Sequence, residues 1–306
     1  MAKYLITGGC GFIGSQLTKQ LLDQAHEVIV VDDLSNGQII HSQATLVEAN
    51  VADFDSIHAL FGDLDGCFHL AAIPSINMEI SDWFRFHATN LEGSLNIFKS
   101  AIKAGNIPVV YASSCGVYGD SKRFPLSEGQ ALKPPSSYGC DKLASELNAN
   151  FLAQSFQLPS MGLRFFNVYG PYQRPDSPYS GVITHFISNL LRNEPMTIFG
   201  DGKQTRDFVY VDDVVDNLMK AMTILKSNAH VVNICSGIPV TVNQLAVILA
   251  ELFDKQCLIN YLPARALDAQ GSYGNPNKMH RYGFKLDSDL RQGLIKTIEY
   301  FVGTYQ

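Results

Sequence analysis

The sequence is short of positive charge. Its 23 Lys and Arg face 29 Asp and Glu, for a net charge of -6. A protein that grips nucleic acid through phosphates needs a basic face, so this balance argues against general nucleic-acid binding. Charged residues make up only 17% and hydrophobic residues 46%, the opposite of a disordered chain. Long apolar runs are missing too. The longest lie around 28–31 and 231–235, far short of the roughly 20 residues that cross a bilayer. The opening Met1-Ala2-Lys3-Tyr4-Leu5-Ile6 runs straight into glycine and lacks the apolar stretch of a secretory signal. The six cysteines (Cys10, Cys67, Cys115, Cys140, Cys235, Cys257) are scattered, with no Cys-x-x-Cys. That spacing argues against a metal site or a disulfide framework and suits a reducing cytoplasm.

What the 306 residues do contain is alternation. Short apolar runs at 4–7, 28–32, 45–47, 67–70, 109–113 and 160–165 read as strands. Amphipathic stretches at 12–24, 54–61, 82–104 and 137–156 read as helices between them. Several strands are unbroken Val/Ile/Leu runs, as expected for strands buried on both faces of a parallel sheet. The pattern predicts a doubly wound α/β Rossmann sheet over residues 1–166. After Asn167 the texture changes to a Pro-rich loop, then mixed elements: helices near 181–192, 212–225, 242–253 and 289–302, and strands at 196–199 and 230–234. Residues 167–306 are expected to form mainly a smaller α/β substrate lobe, with a return segment to the sheet near 208–235.

The first strand ends in Gly8-Gly9-Cys10-Gly11-Phe12-Ile13-Gly14, and a helix follows. In such a loop one glycine permits the tight turn, one lets the backbone approach a pyrophosphate, and one lets the helix pack on the strand. The helix N-terminus then offers free N–H groups to the phosphates. The second strand ends at Asp32. A carboxylate there can accept both hydroxyls of an adenosine ribose and repels a 2′-phosphate, which favours NAD over NADP. Asp32 also opens the turn Asp33-Leu34-Ser35-Asn36-Gly37, and the two roles are compatible.

Tyr138-Gly139-Cys140-Asp141-Lys142 follows Pro134-Pro135-Ser136-Ser137, a helix-start signature. At i and i+4 the Tyr and Lys share one helix face. A lysine beside a phenol favours the phenolate. The spacing alone means little. With 13 tyrosines and a similar number of lysines, chance supplies about 0.6 such pairs. A second pair, Tyr118 and Lys122, spans Gly119-Asp120-Ser121 with no helix to align it. We take it as the decoy.

Taken together, Gly8–Gly14, Asp32, His69-Leu70-Ala71-Ala72, Asn90, Ser113-Ser114, Tyr138-x-x-x-Lys142 and Arg164-Phe165-Phe166-Asn167 resemble the extended short-chain dehydrogenase/reductase family. Within it the chain is most similar to nucleotide-sugar epimerases and dehydratases, and among these to UDP-hexose and UDP-N-acetylhexosamine 4-epimerases. The resemblance implies that NAD lies across Gly8, Gly11, Phe12 and Ile13. Asp32 and Asn36 would meet the adenosine ribose and Asp53 the adenine, with Leu70, Ala71, Ala72 and Asn90 along the neighbouring strand edge. It makes Tyr138 the acid/base, has Lys142 hold the nicotinamide ribose, and directs Ser114 to the reacting oxygen. For the sugar nucleotide it implies Ser75, Asn167, Val182 and Phe199. The segment Thr205-Arg206-Asp207-Phe208-Val209-Tyr210-Val211-Asp212-Asp213 resembles the family's Arg-Asp-Phe-Val-Tyr-Val-Asp-Asp stretch, with Arg206 on the diphosphate. Arg265 and Asp268 resemble the late pair for the second phosphate and the uridine ribose, although Leu267 stands where members usually have Gly. Guanidinium forks suit a diphosphate, and surface ion pairing is the plainer role for either Arg.

Family dehydratases and decarboxylases resemble Thr-Asp-Glu-Val-Tyr-Gly or Thr-Ser-Glu-Val-Tyr-Gly around the serine, whereas this chain has Ser114-Cys115-Gly116-Val117-Tyr118-Gly119. Without the extra acid, the resemblance implies 4-epimerisation: transient oxidation at C4, rotation of the 4-keto sugar, and reduction on the other face. A UDP-uronate 4-epimerase, a dehydratase, an epimerase–reductase using Cys115 with His185, and a non-enzymatic NAD(H)-sensing protein are the alternatives. Cys115 reads more simply as a small packed side chain at a strand end. Ser272, in Gly271-Ser272-Tyr273-Gly274-Asn275-Pro276, stands where the family gates sugar size, and a small residue leaves room for an N-acetyl group. Helices 82–104 and 137–156 are candidates for pairing with a second copy. No metal, nucleic acid or membrane partner is expected.

Overall fold

In the computed structural model, residues 1–74, 80–177, 179–265 and 269–305 are described. The apolar runs form the strands. These are β1 (Lys3–Thr7), β2 (Glu27–Asp32), β3 (Thr45–Glu48), β4 (Gly66–His69), β5 (Val109–Ser114) and β6 (Ser160–Phe165). Between them lie α1 (Phe12–Asp23), α2 (Phe54–His58), α3 (Trp83–His87), α4 (Gly93–Lys103) and α5 (Ser137–Phe156). The rest comprises β7 (Asn167–Tyr169), α6 (Val182–Leu191), β8 (Met196–Phe199), β9 (Thr205–Arg206), β10 (Phe208–Tyr210), α7 (Val211–Ile224), β11 (Ala229–Ile234), β12 (Val240–Thr241), α8 (Val242–Leu252), β13 (Ile259–Leu262), β14 (Gly271–Ser272), α9 (Asn277–Arg281) and α10 (Leu290–Tyr305).

The central sheet has seven strands in the order β11-β6-β5-β4-β1-β2-β3. β1 pairs in parallel with β2 and β4, β2 with β3, and β4 with β5. Strand order reverses between β1 and β4. In a doubly wound sheet the crevice beyond the carboxyl ends at that point is where a dinucleotide binds. The core beside the sheet is built from Leu5, Val31, Ile57, Phe61, Cys67, Ile97, Phe98, Val109 and Tyr111, all essentially buried.

Two helix starts show how local sequence sets the elements. Ser136 caps α5, its hydroxyl accepting the Gly139 N–H at 3.2 Å. Thr241 and Gln244 form a reciprocal capping box on α8. The continuous helix expected over 82–104 is interrupted. A π-helical turn at Ala88–Glu92 separates α3 from α4, and such bulges usually mark functional positions.

The chain divides into two units. The first is Met1–Val117, Leu132–Arg164 and Val215–Val232, and holds most of the sheet. The second is Tyr118–Ala131, Phe165–Val214 and Asn233–Gln306. It contains a three-stranded sheet ordered β12-β9-β14 and the pairs β10-β7 and β13-β8.

Candidate functional site

In the first unit, the glycine loop turns from β1 into α1. Gly8 sits in the left-handed region at φ 70°, and a Cβ there would lie 2.7 Å from the Ala71 backbone nitrogen. At Gly14 a Cβ would lie 2.1 Å from the Gly8 carbonyl oxygen. Both glycines are demanded by the chain's own packing. Gly11 differs: its φ is -81° and a Cβ would meet only the Gly8 carbonyl, at 3.3 Å. Nothing else among the described residues requires glycine there. Gly11 caps α1 without a side chain, and no acid stands in the first turn. Phe12 and Ile13 therefore present the positive end of a helix to an anion.

Asp32 ends β2, almost buried. Its carboxylate accepts the Cys10 and Leu34 N–H groups, each at 3.0 Å. Burial raises its pKa, and the two N–H bonds pull it back. The carboxylate is held in place with lone pairs left for two hydroxyls. Asn36 lies exposed in the following turn. Asp53 is exposed and caps α2 by accepting the Asp55 and Ser56 N–H groups and the Ser56 hydroxyl. Leu70 and Ala71 follow β4 and are tied back to β1: Leu70 N–H reaches the Thr7 carbonyl at 3.0 Å and Ala71 N–H the Thr7 hydroxyl at 3.3 Å. Ala72 comes next, half-buried. Asn90, fully buried on the π turn, accepts the Ile73 N–H at 2.8 Å and donates to the Ile73 carbonyl at 3.2 Å. It thus clamps the loop that leaves β4.

Below this edge runs a buried relay. The Ser94 hydroxyl donates to the Asn90 carbonyl at 2.7 Å, so it accepts from His69 Nε2 at 3.0 Å. His69 Nδ1 then accepts from the Thr7 hydroxyl at 2.7 Å. Burial and the nearby Lys142 charge push His69 down to about 3, which keeps the ring neutral and the relay directional.

β5 delivers Ser114, and α5 delivers Tyr138 and Lys142. The Ser114 hydroxyl accepts the Gly116 N–H at 3.0 Å, and it lies near enough to the Tyr138 phenol to favour its ionised form. Lys142 is fully buried, with Nζ 5.7 Å from the Tyr138 ring centroid. Its ammonium makes no hydrogen bond among the described residues, which leaves three donors for a ligand. The expected lowering of the phenol is outweighed here. Burial pushes Tyr138 up to about 12 despite Ser114, and burial takes Lys142 down to about 8. The decoy pair comes apart: Tyr118 is buried and donates to Asn233 Oδ1 at 2.7 Å, while Lys122 pairs with Asp120 at 2.6 Å.

In the second unit, β9 is the middle strand of its sheet, and Arg206 stands opposite Ser272 in parallel register and Val240 in antiparallel register. Arg206 Nη1 donates to the Thr205 and Ala269 carbonyls at 2.8 and 2.9 Å. The Arg265 guanidinium lies over the Phe199 ring, 3.7 Å from its centroid. Asn167 begins β7, its buried Oδ1 without a hydrogen-bond partner among the described residues. Val182 opens α6 behind Gly181. Ser75, Asp268 and Leu267 lie outside the described residues.

The sequence profile of the NAD dependent epimerase/dehydratase family matches residues 4–235. The chain belongs to this family. Among solved structures it is similar to a UDP-glucose 4-epimerase from Thermotoga maritima with UDP-glucose: 36% identity, TM-score 0.95, 99% of this chain and 100% of that one. It is also similar to a UDP-N-acetylglucosamine 4-epimerase from Methanobrevibacter ruminantium in complex with UDP-N-acetylmuramic acid: 31% identity, TM-score 0.93, 99% and 98% covered. A UDP-N-acetyl-alpha-D-glucosaminuronate decarboxylase from Bacillus cytotoxicus is 33% identical over 316 residues, covering 97% of each chain.

As in an NAD-dependent family, the cofactor is a dinucleotide, and the first unit fits one. It offers an open backbone at Gly11, a held carboxylate at Asp32 and, at Lys142, a buried ammonium that makes no hydrogen bond among the described residues. Sequence reading missed the polar groups that hold this epimerase/dehydratase framework in place. Asp207 is fully buried and accepts from the Ser236 N–H and hydroxyl, the Gly237 N–H and the Gly274 N–H at 2.7–3.1 Å. Its place in the Arg-Asp-Phe stretch was the only signal. Glu146, buried, takes a forked pair of bonds from Arg164 at 2.8 and 2.6 Å and the Ser113 hydroxyl. Asp141 lies between Tyr138 and Lys142 and bonds His87 Nδ1 at 2.8 Å.

Proposed function

We propose that the chain is an NAD-dependent UDP-sugar 4-epimerase acting on UDP-N-acetylhexosamines, UDP-hexoses or both. The grouping of Ser114, Tyr138 and Lys142 beside the glycine cradle, with no carboxylate in the adjoining Cys115-Gly116, carries the reading. The similar enzymes named above fit it.

NAD supplies a reversible acceptor for the hydrogen at sugar C4. The chain supplies the rest. Gly11, Phe12 and Ile13 hold the pyrophosphate, and Asp32, with Asn36, holds the adenosine ribose. Asp53 faces the adenine, and Leu70, Ala71, Ala72 and Asn90 shape the edge beside them. Lys142 donates to the nicotinamide ribose and places a positive charge near the phenol. Tyr138 takes the proton of the sugar 4-hydroxyl and returns it, while Ser114 steadies that oxygen. Arg206 and Arg265 hold the diphosphate, and Asn167, Val182 and Phe199, with Ser75 and Asp268, complete the nucleotide-sugar site. Ser272 leaves room for an N-acetyl group. The residues 1–166 with the return segment near 208–235 serve the cofactor, and 167–306 mainly the sugar nucleotide.

Two copies pair through α3 and α5. There Phe84 is 79% exposed, Leu147 63% and Phe151 54%, too much apolar surface to leave in water. No helix among the described residues is long and apolar enough to cross a membrane. Six cysteines with no disulfide among them suit the cytoplasm, where we place the enzyme.

The test is incubation with UDP-GlcNAc, UDP-galactose, UDP-glucuronate and dTDP-glucose, read by NMR. Inversion at C4 with no added cofactor is expected. Loss of CO2 or water, or bound NAD with no turnover, overturns the reading.

A further inference from the structure

α5 carries an acid that the reaction does not ask for. Asp141 lies one residue before Lys142 and three after Tyr138, and it is 4% exposed. One oxygen, Oδ1, is bonded to His87 Nδ1 of α3 at 2.8 Å. The other, Oδ2, is buried with no hydrogen-bond partner among the described residues. A half-satisfied buried carboxylate is costly. A small apolar or hydroxyl side chain would pack in its place without that cost. Lys142 is 1% exposed and equally without a hydrogen bond among the described residues. Two buried groups of opposite charge therefore follow one another on α5, each incompletely solvated by the protein.

We propose that Asp141, held by His87, is a positioning residue: it is the counter-charge that keeps Lys142 an ammonium inside the fold, and so able to bind a ribose and favour the Tyr138 phenolate. This rests on the reading of Tyr138 and Lys142 given above.

Among the described residues, Asp141 is the one carboxylate that acts on Lys142. Burial drives the Lys142 proton off and Asp141 opposes it. The other groups do not compete. From β4, His69 faces Lys142 but is neutral. From α3, Arg85 is exposed; from the π turn, Glu92 is exposed; from α4, Lys99 and Lys103 are exposed. On α5 itself Glu146 is taken by Arg164 and Ser113. From β5, Tyr111 faces that same pair. Asp141 feels His87 and Lys142, and it is not among the groups acting on the Tyr138 phenol. Its effect on the phenol runs through Lys142.

The experiment is an NMR pH titration of 13C-labelled lysine side chains in the full protein, with Lys142→Met to assign the signal. It needs no substrate. Asp141→Asn should lower the proton affinity of Lys142 about tenfold, and Asp141→Ser should do the same if the Asn variant fails to fold. His87→Leu should shift it in the same direction by less, and His87→Asn, which restores a donor, should bring it back. In turnover assays, the alkaline limb of kcat/KM should move towards neutrality by the same factor. An unchanged Lys142 midpoint in both Asp141 variants overturns the proposal. A shifted midpoint in a protein that epimerises no UDP-sugar upholds the counter-charge and overturns the functional reading instead.

Discussion

Gly8 and Gly11 of the loop should separate folding from binding, one substitution at a time. Gly8→Ala places an L side chain at φ 70° and drives its Cβ to 2.7 Å from the Ala71 backbone nitrogen. The left-handed conformation alone costs about 1–2 kcal/mol for a residue with a Cβ. The approach to backbone, which cannot swing away, adds to it. A loss of about 3 kcal/mol in total, a shift of roughly 6 °C or somewhat less in a chain of this size, is expected. Gly11→Ala has an ordinary φ of -81° and its nearest contact is a carbonyl oxygen at 3.3 Å. Its cost is that of a poorer helix N-cap, about 1 kcal/mol or less. The same methyl, however, stands where a pyrophosphate must approach the backbone. NAD affinity should therefore fall about tenfold or more in Gly11→Ala, while the melting temperature of the NAD-free protein barely moves. The assays are thermal denaturation after NAD has been stripped, and NAD titration by calorimetry. If Gly11→Ala melts as low as Gly8→Ala, or binds NAD like the parent, the assignment of Gly11 to the ligand is wrong.

Three further outcomes are expected. Asp207→Ala strands the buried Ser236, Gly237 and Gly274 donors; at about 1–3 kcal/mol for each donor left unsatisfied, urea denaturation should show a loss of several kcal/mol, and a loss below about 1 kcal/mol would refute the hub role. Lys142 has its folded pKa taken down to about 8, against about 10.4 for a free lysine. The unfolded chain thus binds more protons across that window, and the NAD-free protein should gain stability from this group as pH rises through it. Denaturant midpoints at pH 7.5 and pH 9.5, compared between the parent and Lys142→Met, should show a smaller gain in the variant; equal gains would refute it. Ser272→Tyr should abolish turnover of UDP-GlcNAc and UDP-GalNAc and spare UDP-glucose and UDP-galactose, and equal loss on all four would place the size gate elsewhere.

What could be read from the sequence was what is local. The runs at 28–32 and 160–165 are mainly apolar, and both became strands within a residue of the expected bounds. Ser136 announced α5 because a cap is decided within four residues. Gly8, Gly11 and Gly14 were visible as a set, but their separate duties were not. Those duties depend on Ala71, some sixty residues away, and on how the loop folds back on its own carbonyl. The break of 82–104 at the π turn was invisible for the same reason. The turn brings Asn90 to Ile73, a contact that no periodicity encodes.

The candidate site divides along the same line. Tyr138 and Lys142 share a helix face, so their alignment follows from spacing once the helix is known. Their proton affinities do not follow from spacing. The sequence argument has a lysine drawing a phenol down, yet in the folded chain burial moves both groups towards their neutral forms, up for Tyr138 and down for Lys142. Desolvation acts on each charge alone, whereas the benefit of pairing needs both charges present at once. A fold that buries this pair must therefore bring compensating charge from elsewhere. Asp141, held by His87, can do that for the lysine, and a bound cofactor with a cationic ring would do it for the phenolate. The site is poised by the assembly of chain and cofactor, and the Tyr-x-x-x-Lys pattern marks where that assembly must occur.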